Sequence, residues 1–305
     1  MWPSLPYDKW KDTLDTLHMW TQIVGKVKLS LKPFQNQWWQ VGFYVTPLGM
    51  TTGRIPYNDR VFTVDFNFIH HKIHITTNEA QQKTILLKPI SVAEFYKEFM
   101  DALSSLDISV TIKPIPVEFA EHIPFTDDTK HASYDKEYVE KWSHIQLRTS
   151  ILFDKFRSLF CGKSSPVQFF WGSFDLNGTR FSGKKATPPK PEGPLGKMMQ
   201  LAENEENFTF GFWPGDIKFP HPAFYSYHYP ELKGSEKIQT GSSFAYFHEK
   251  LSEHILPYEE IRKTKNPEKE IMNFLTTTYE EYARLANWDT KALEETLPQN
   301  ASTPR

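Results

Sequence analysis

The sequence predicts an α+β protein of two similar halves, each an antiparallel sheet packed by helices. Three observations lead there. Amphipathic helical stretches open and close each half, the residues between them alternate with period two, and short motifs recur in both halves. The 305 residues, 39% of them hydrophobic and 15% aromatic, suffice for one large or two medium domains with a real core.

The first helix starts near Asp8 and carries Trp10, Leu14, Leu17, Thr21 and Val24 at helical spacing, with His18 beside that stripe and Pro33 ending the segment. Strands follow at 38–46 and 50–55 around Pro47-Leu48-Gly49, at 61–69 and 72–77 around His70-His71, and at 83–87. Ser91 and Glu94 spell a capping box, S-x-x-E, which opens a helix turning Phe95, Phe99, Ala102, Leu103 and Leu106 inward. A short strand at 108–112 completes the first half, residues 1–113. Residues 114–134 are polar and rich in Pro, the composition of a linker or a wrapping loop.

The second half, 135–298, begins with a long helix at 135–161 whose stripe is Tyr138, Trp142, Ile145, Leu152, Phe156 and Leu159, closed by Gly162. An aromatic hairpin follows at 165–183. Residues 184–207 hold four Pro and an acidic end, and are expected to form a flexible loop or lid. Strands come at 208–213, 223–229 and 243–247. Asn266-Pro267 then opens a helix with Ile271, Phe274, Leu275, Thr278, Tyr282 and Leu285 inward, and the tail at 299–305 frays. I-V-G-K at 23–26 is echoed by F-C-G-K at 160–163, and G-M-T-T-G at 49–53 by G-T-R-F-S-G at 178–183. An internal duplication is one account of this order; chance similarity within an α+β chain is the other.

Charge and cysteine usage narrow the function classes. With 35 basic and 37 acidic residues the net charge is −2, and no Lys/Arg stripe tracks a nucleic-acid backbone, so nucleic acid is not expected as a partner. No run approaches the roughly 20 apolar residues that span a bilayer, and the start has no signal-peptide pattern, so no membrane partner is expected and the cytoplasm is the expected location. Cys161 is the sole cysteine, which rules out an internal disulfide or a cysteine-based zinc site; near a helix C-terminus it reads as a core residue. His70, His71 and His74 lack ligand spacing and read as turn residues, with no metal expected. Phosphate loops, a nucleophile elbow and paired carboxylates at helical spacing are missing, so no cofactor, reaction or oligomeric state is assigned.

The richest stretch is 165–183, S-P-V-Q-F-F-W-G-S-F-D-L-N-G-T-R-F-S-G. Asn177-Gly178 between alternating runs predicts a two-residue type I′ turn. That register sets Asp175 opposite Arg180 and puts Phe169, Trp171, Ser173, Asp175 and Arg180 on one face. The candidate ligand-binding residues are therefore His18, Trp171, Ser173, Asp175 and Arg180, with Arg180 as a fork for a carboxylate or phosphate. His18 has two readings, a general base or a hydrogen-bonded structural imidazole. The row Phe224, Ser226, His228 against Tyr225, Tyr227, Tyr229 reads as a half-buried sheet.

W-P-S-L-P-Y at 2–7, L-H-M-W-T-Q-I-V-G-K at 17–26, Y-V-T-P-L-G-M-T-T at 44–52, F-F-W-G-S-F-D-L at 169–176 and F-Y-S-Y-H-Y-P at 224–230 together resemble an uncharacterised bacterial family of about this length, known only as a domain of unknown function. The resemblance covers nearly the whole chain. It implies a bacterial protein and brings no activity, cofactor or catalytic residue. It also implies His in many relatives where this chain has Gln168, so position 168 is not chosen as a base.

Two function classes follow. One is a small-molecule binder or enzyme with an aromatic-lined pocket between the halves accepting an anionic organic ligand. The other is a non-catalytic interaction module with an exposed aromatic surface.

Overall fold

The computed structural model describes residues 2–193 and 195–294. The tail expected to fray from residue 299 lies outside them. The fold is α+β, with two antiparallel sheets. Packing divides the chain into two units: Met1–Arg148, Gln168–Leu176 and Pro214–His221 form the first, and Thr149–Val167, Asn177–Trp213 and the chain from Pro222 on form the second.

The first unit is organised by α1 (Tyr7–Leu31), which is buried on nearly every side from Trp10 to Lys28. An all-round buried helix takes its polar residues inside with it, and each must then find a partner. Loop backbone supplies many of them. Asp135 N–H donates to Thr13 Oγ1 at 2.9 Å and Ser133 N–H to Thr16 Oγ1 at 3.1 Å. Gln22 both donates to Val117 O and accepts from Val117 N–H, each at 2.8 Å. Residues 114–134 are thus a wrapping loop, pinned by side chains of the helix it covers.

The first sheet comprises β1 (Tyr44–Thr46), β2 (Gly49–Thr51), β3 (Ile55–Tyr57), β4 (Arg60–Asn67), β5 (Lys72–Thr77) and β6 (Gln82–Leu86), in the order β1-β2-β4-β5-β6 with β3 also on β4. The β4–β5 register pairs Val64 with Ile75 and Phe66 with Ile73, so Phe62, Val64, Phe66, Ile73 and Ile75 are buried on one face. The strand expected at 38–46 is only β1, because residues 36–38 form a 3-10 turn with Gln37 and Trp38 at positive φ. Residues 108–112 form no strand.

α2 (Val92–Ser104) has the predicted capping box: Glu94 N–H donates to Ser91 Oγ at 3.2 Å and Ser91 N–H to Glu94 Oε2 at 2.8 Å. Its next free N–H groups are also taken, Val92 by His131 O and Ala93 by Asp128 O, both at 3.0 Å. Phe95 stacks on Trp20 of α1 with centroids 4.8 Å apart. α3 (Lys136–Arg157) belongs to the first unit as far as Arg148, where Trp142 packs against Trp10, Phe68, Phe169 and Phe174. β7 (Gln168–Phe170) lies within the first unit, where Phe169 bridges Phe43.

The second sheet has the order β11-β12-β10-β9-β8-β7. Its strands in the second unit are β8 (Asp175–Lys185, from Asn177 on), β9 (Glu205–Trp213), β10 (Ala223–Tyr229), β11 (Tyr246–His248) and β12 (Glu253–Pro257). β12 carries no pattern that the sequence reading picked out. Between β8 and β9 lie an irregular stretch at 186–193 and α4 (Gly196–Ala202), and α5 (Tyr258–Ile261) follows β12. α6 (Pro267–Leu285) starts at Asn266, whose side chain accepts from Lys269 N–H, and buries Ile271, Phe274, Leu275, Thr278, Tyr279, Tyr282 and Ala283. α7 (Thr290–Leu293) follows, and Cys161 lies beside it, exposed, its Sγ 3.4 Å from Ala292 O. The core reading of Cys161 is therefore corrected: the long helix stops at Arg157, and of the four residues after it only Phe160 turns inward.

The hairpin register is corrected too. Asn177-Gly178 lies inside β8 and makes no turn. Gly178 is there for a close approach, since a Cβ on it would sit 2.6 Å from the Phe210 ring. The fold-back is at residues 171–174 instead, closed by Phe174 N–H donating to Phe170 O at 2.8 Å, with Phe174 at φ 60°. Further along, Arg180 pairs with Ser164, not with Asp175.

Candidate functional site

The buried polar residues of α1 lie along one seam. Asp15, His18, Gln22 and Lys26 follow at three- and four-residue intervals and so share a helix face, and all four are buried. The wrapping loop runs along this face. Its Phe119 ring meets His18 and His131 edge-on, each with centroids 5.5 Å away. His131 is itself fixed by Asp128, Nδ1 to Oδ2 at 2.8 Å, and Asp128 also takes the backbone N–H groups of Lys130 and His131.

His18 Nε2 is 2.8 Å from Gly172 O and 3.1 Å from Gln22 Nε2. Burial pushes its pKa down to about 4, against the smaller upward pull of its backbone hydrogen bonds and Asp216. It is a neutral imidazole at physiological pH. Lys26 is also driven below its ordinary range, first by burial and then by Lys113.

The 171–174 turn brings the other candidates to this seam. Trp171 lies flat on α1, where Gly25 makes the room: a Cβ there would be 2.3 Å from the indole. Trp171 Nε1–H donates to Val41 O at 3.0 Å. Ser173 Oγ–H donates to Asp175 Oδ1, and Asp175 is buried. Phe174 lies 5.0 Å from the His18 ring. His18, Trp171, Ser173 and Asp175 thus share the first unit around Gly172.

Sequence reasoning missed Glu118. Part of it is open to solvent, but its carboxyl end is folded down: Oε1 would be 2.9 Å from a Cβ on Gly172. Surrounding protein, and after it the charge of Asp175, raises its pKa to about 7. Its backbone has φ 51°, a conformation that costs a non-glycine residue about 1 kcal/mol or more. Nothing in the V-E-F-A run marks that backbone in advance, and Asp175, whose charge acts on it, is 57 positions away in the chain.

Arg180 does not join this group. Residues five apart on one strand stand about 16 Å apart and point to opposite faces, so the expected pairing with Asp175 is impossible. In the second unit its guanidinium lies 3.6 Å from the Phe156 ring centroid and 4.3 Å from that of Tyr279, and it donates to Phe156 O in the last turn of α3. A cation there complements the helix C-terminus. Burial lowers its pKa to about 10. Gln168 is fully buried, its Nε2–H donating to Trp39 O at 2.9 Å. Phe169, Trp171, Phe174 and Phe181 are all buried, which leaves this stretch little aromatic surface for a partner.

Among the described residues no group of three or more His, Cys, Asp and Glu is placed to hold a metal ion, and no helix is long and apolar enough to cross a membrane. The profile of a family of unknown function, DUF5996, matches residues 2–295, and the chain belongs to that family. No curated protein and no solved structure matches.

Proposed function

We propose that this DUF5996 member is a small-molecule-binding protein with proton-transfer chemistry, centred on the seam of its first unit. The observation that supports it is Glu118: a left-handed, non-glycine residue that holds its carboxyl over Gly172 and beside the buried Asp175. Two carboxyls set so close titrate apart, and the one that keeps its proton near neutrality is suited to give and take it. Asp175 is the second carboxyl, oriented by the hydroxyl that Ser173 donates to it. His18 and Trp171 are walls, since a buried neutral imidazole bonded to Gly172 O has little proton affinity left.

The ligand class follows from the charges. Beside Gly172 stands the carboxyl of Glu118, with Asp175 three residues on along the chain, while Arg180, which suggested an anion, is engaged by the Phe156 carbonyl. A neutral or cationic polar organic molecule fits this setting. A bacterial cytoplasmic setting belongs to the same proposal; the single cysteine and the lack of a membrane-spanning helix among the described residues are in keeping with it.

A thermal-shift screen tests the reading, with one panel of neutral and cationic metabolites and one of carboxylates and phosphates. A compound from the first panel should raise Tm, and D175N and E118Q should each abolish the rise while folding normally. Stabilisation by anions alone, or a rise untouched by both variants, would overturn it.

A further inference from the structure

The wrapping loop contains a smaller closed unit. Phe125 N–H donates to Pro114 O at 2.8 Å, which joins the ends of a ten-residue excursion. Compact loops with joined ends are Ω-loops, and they commonly carry function. Phe125, at one end, is fully buried, and Ile112 just before the other end is buried as well. Between the ends only Pro116 is buried, and 118 and 120–122 are exposed. Pro114, Pro116 and Pro124 stiffen the two ends. The residues after the excursion are tied down separately, by the caps on α2 and by Thr16 and Thr13.

The excursion covers the seam with few apolar contacts. Phe119 rests edge-on against His18 and His131, and Gln22 grips Val117 through both amide groups. Such a segment, poor in buried apolar area and held by a side-chain clamp, opens at a lower cost than the core. The residue after the clamp is Glu118, whose left-handed backbone adds strain that opening would release.

We propose that residues 114–125 are a lid, hinged at the Pro114–Phe125 bond and latched by Gln22, which carries Glu118 to and from Asp175. It rests on the seam as the site: closed, the lid completes the carboxyl pair; open, it uncovers His18, Gln22 and Asp175 to a ligand. The latch side chain sits on α1 and everything it holds on the lid is backbone; at the tip, Glu121 accepts from Lys130 Nζ at 2.7 Å and Phe119 packs on His18, so these two side chains add to closure.

Hydrogen exchange followed by mass spectrometry on the ligand-free chain tests the lid independently of any ligand. In the wild type, peptides covering 117–122 should exchange far faster than those of α1. Gln22→Ala, which removes two hydrogen bonds, should speed exchange at 117–122 by about ten- to hundredfold and leave α6 peptides unchanged. Should that variant fold poorly, limited proteolysis of the wild type after Phe119 or Glu121 gives the same reading, with cleavage there preceding all other sites. Protection of 117–122 equal to that of α1, or acceleration spread evenly over the chain, would overturn the lid. A mobile lid with no compound found in the thermal-shift screen would overturn the ligand reading and leave the lid standing.

Discussion

α1 and α6 each pack into their own unit, and they use the interior in different ways. α6 shows one apolar stripe, Ile271, Phe274, Leu275, Tyr279 and Tyr282, with polar residues outward; Thr278, buried among them, donates to its own helix at Phe274 O. α1 takes Asp15, His18, Gln22, Lys26 and Lys28 inside; backbone from loops answers His18, Gln22 and Lys28, and Lys11 of the same helix answers Asp15. Apolar burial is indifferent to which neighbour supplies the area. A buried amide is not: Gln22 needs one donor and one acceptor at set positions, and so it specifies how the loop lies. The first arrangement builds a core, the second holds a particular loop in a particular place.

The largest effect expected from this contrast is in α6. Phe274→Ala should lower unfolding free energy by about 3–5 kcal/mol, because the cavity is fully enclosed. Gln22→Leu in α1 should cost only about 1–2 kcal/mol, since the loop releases locally. Urea titration of both variants checks this, and equal losses would remove the distinction between the helices.

Next comes acid. His18 on the first unit and His254 on the second both have pKa values lowered to about 4, mainly by burial. Each is below its unfolded value of 6.5, so the unfolded chain binds more protons between pH 6.5 and 4. Stability therefore falls as pH falls through that window, by up to about 3 kcal/mol for each histidine. Replacing His18 by Gln should flatten part of the fall; urea midpoints at pH 7, 5.5 and 4.5 measure it.

Lys28 gives an effect of the same kind on the alkaline side. Its ammonium donates to Gly42 O, and burial lowers its pKa to about 7. The unfolded lysine keeps its proton up to about 10.5, so this residue makes stability rise with pH between 7 and that value. Lys28→Met should remove the rise, seen as a flatter stability profile from pH 7 to 9.5. None of the buried residues of α6 is charged, so substitutions there should leave that slope alone.

The smallest effect is at the helix starts. Asn266→Ala should cost about 1 kcal/mol by freeing Lys269 N–H. Pro6→Ala should cost much less, because α1 begins without a side-chain cap. Thermal unfolding of both variants separates them.

What the sequence made legible follows the same division. Period and caps located α2 and α6 because Ser91–Glu94 and Asn266-Pro267 are local signals, and alternation located β4, β5, β9 and β10. The 171–174 turn was hidden, because Asn177-Gly178 carries a stronger local turn signal and only a packed Phe210 ring overrides it. Of the seam, His18 stood out as a polar residue beside an apolar stripe, and Asp175 through the hairpin register that also misplaced Arg180. Glu118 did not, since its meaning comes from a backbone angle and from a carboxyl far away in sequence. Arg180 was placed by a register that long-range pairing replaced.

The left-handed backbone at Glu118 has an evolutionary consequence. Glycine or asparagine would occupy φ 51° with less strain, so random drift should lead this position away from glutamate wherever its carboxyl has no use. A lineage that keeps an acid there is holding it against a standing thermodynamic bias, and the residue found at this position across the family becomes a record of selection on the carboxyl itself.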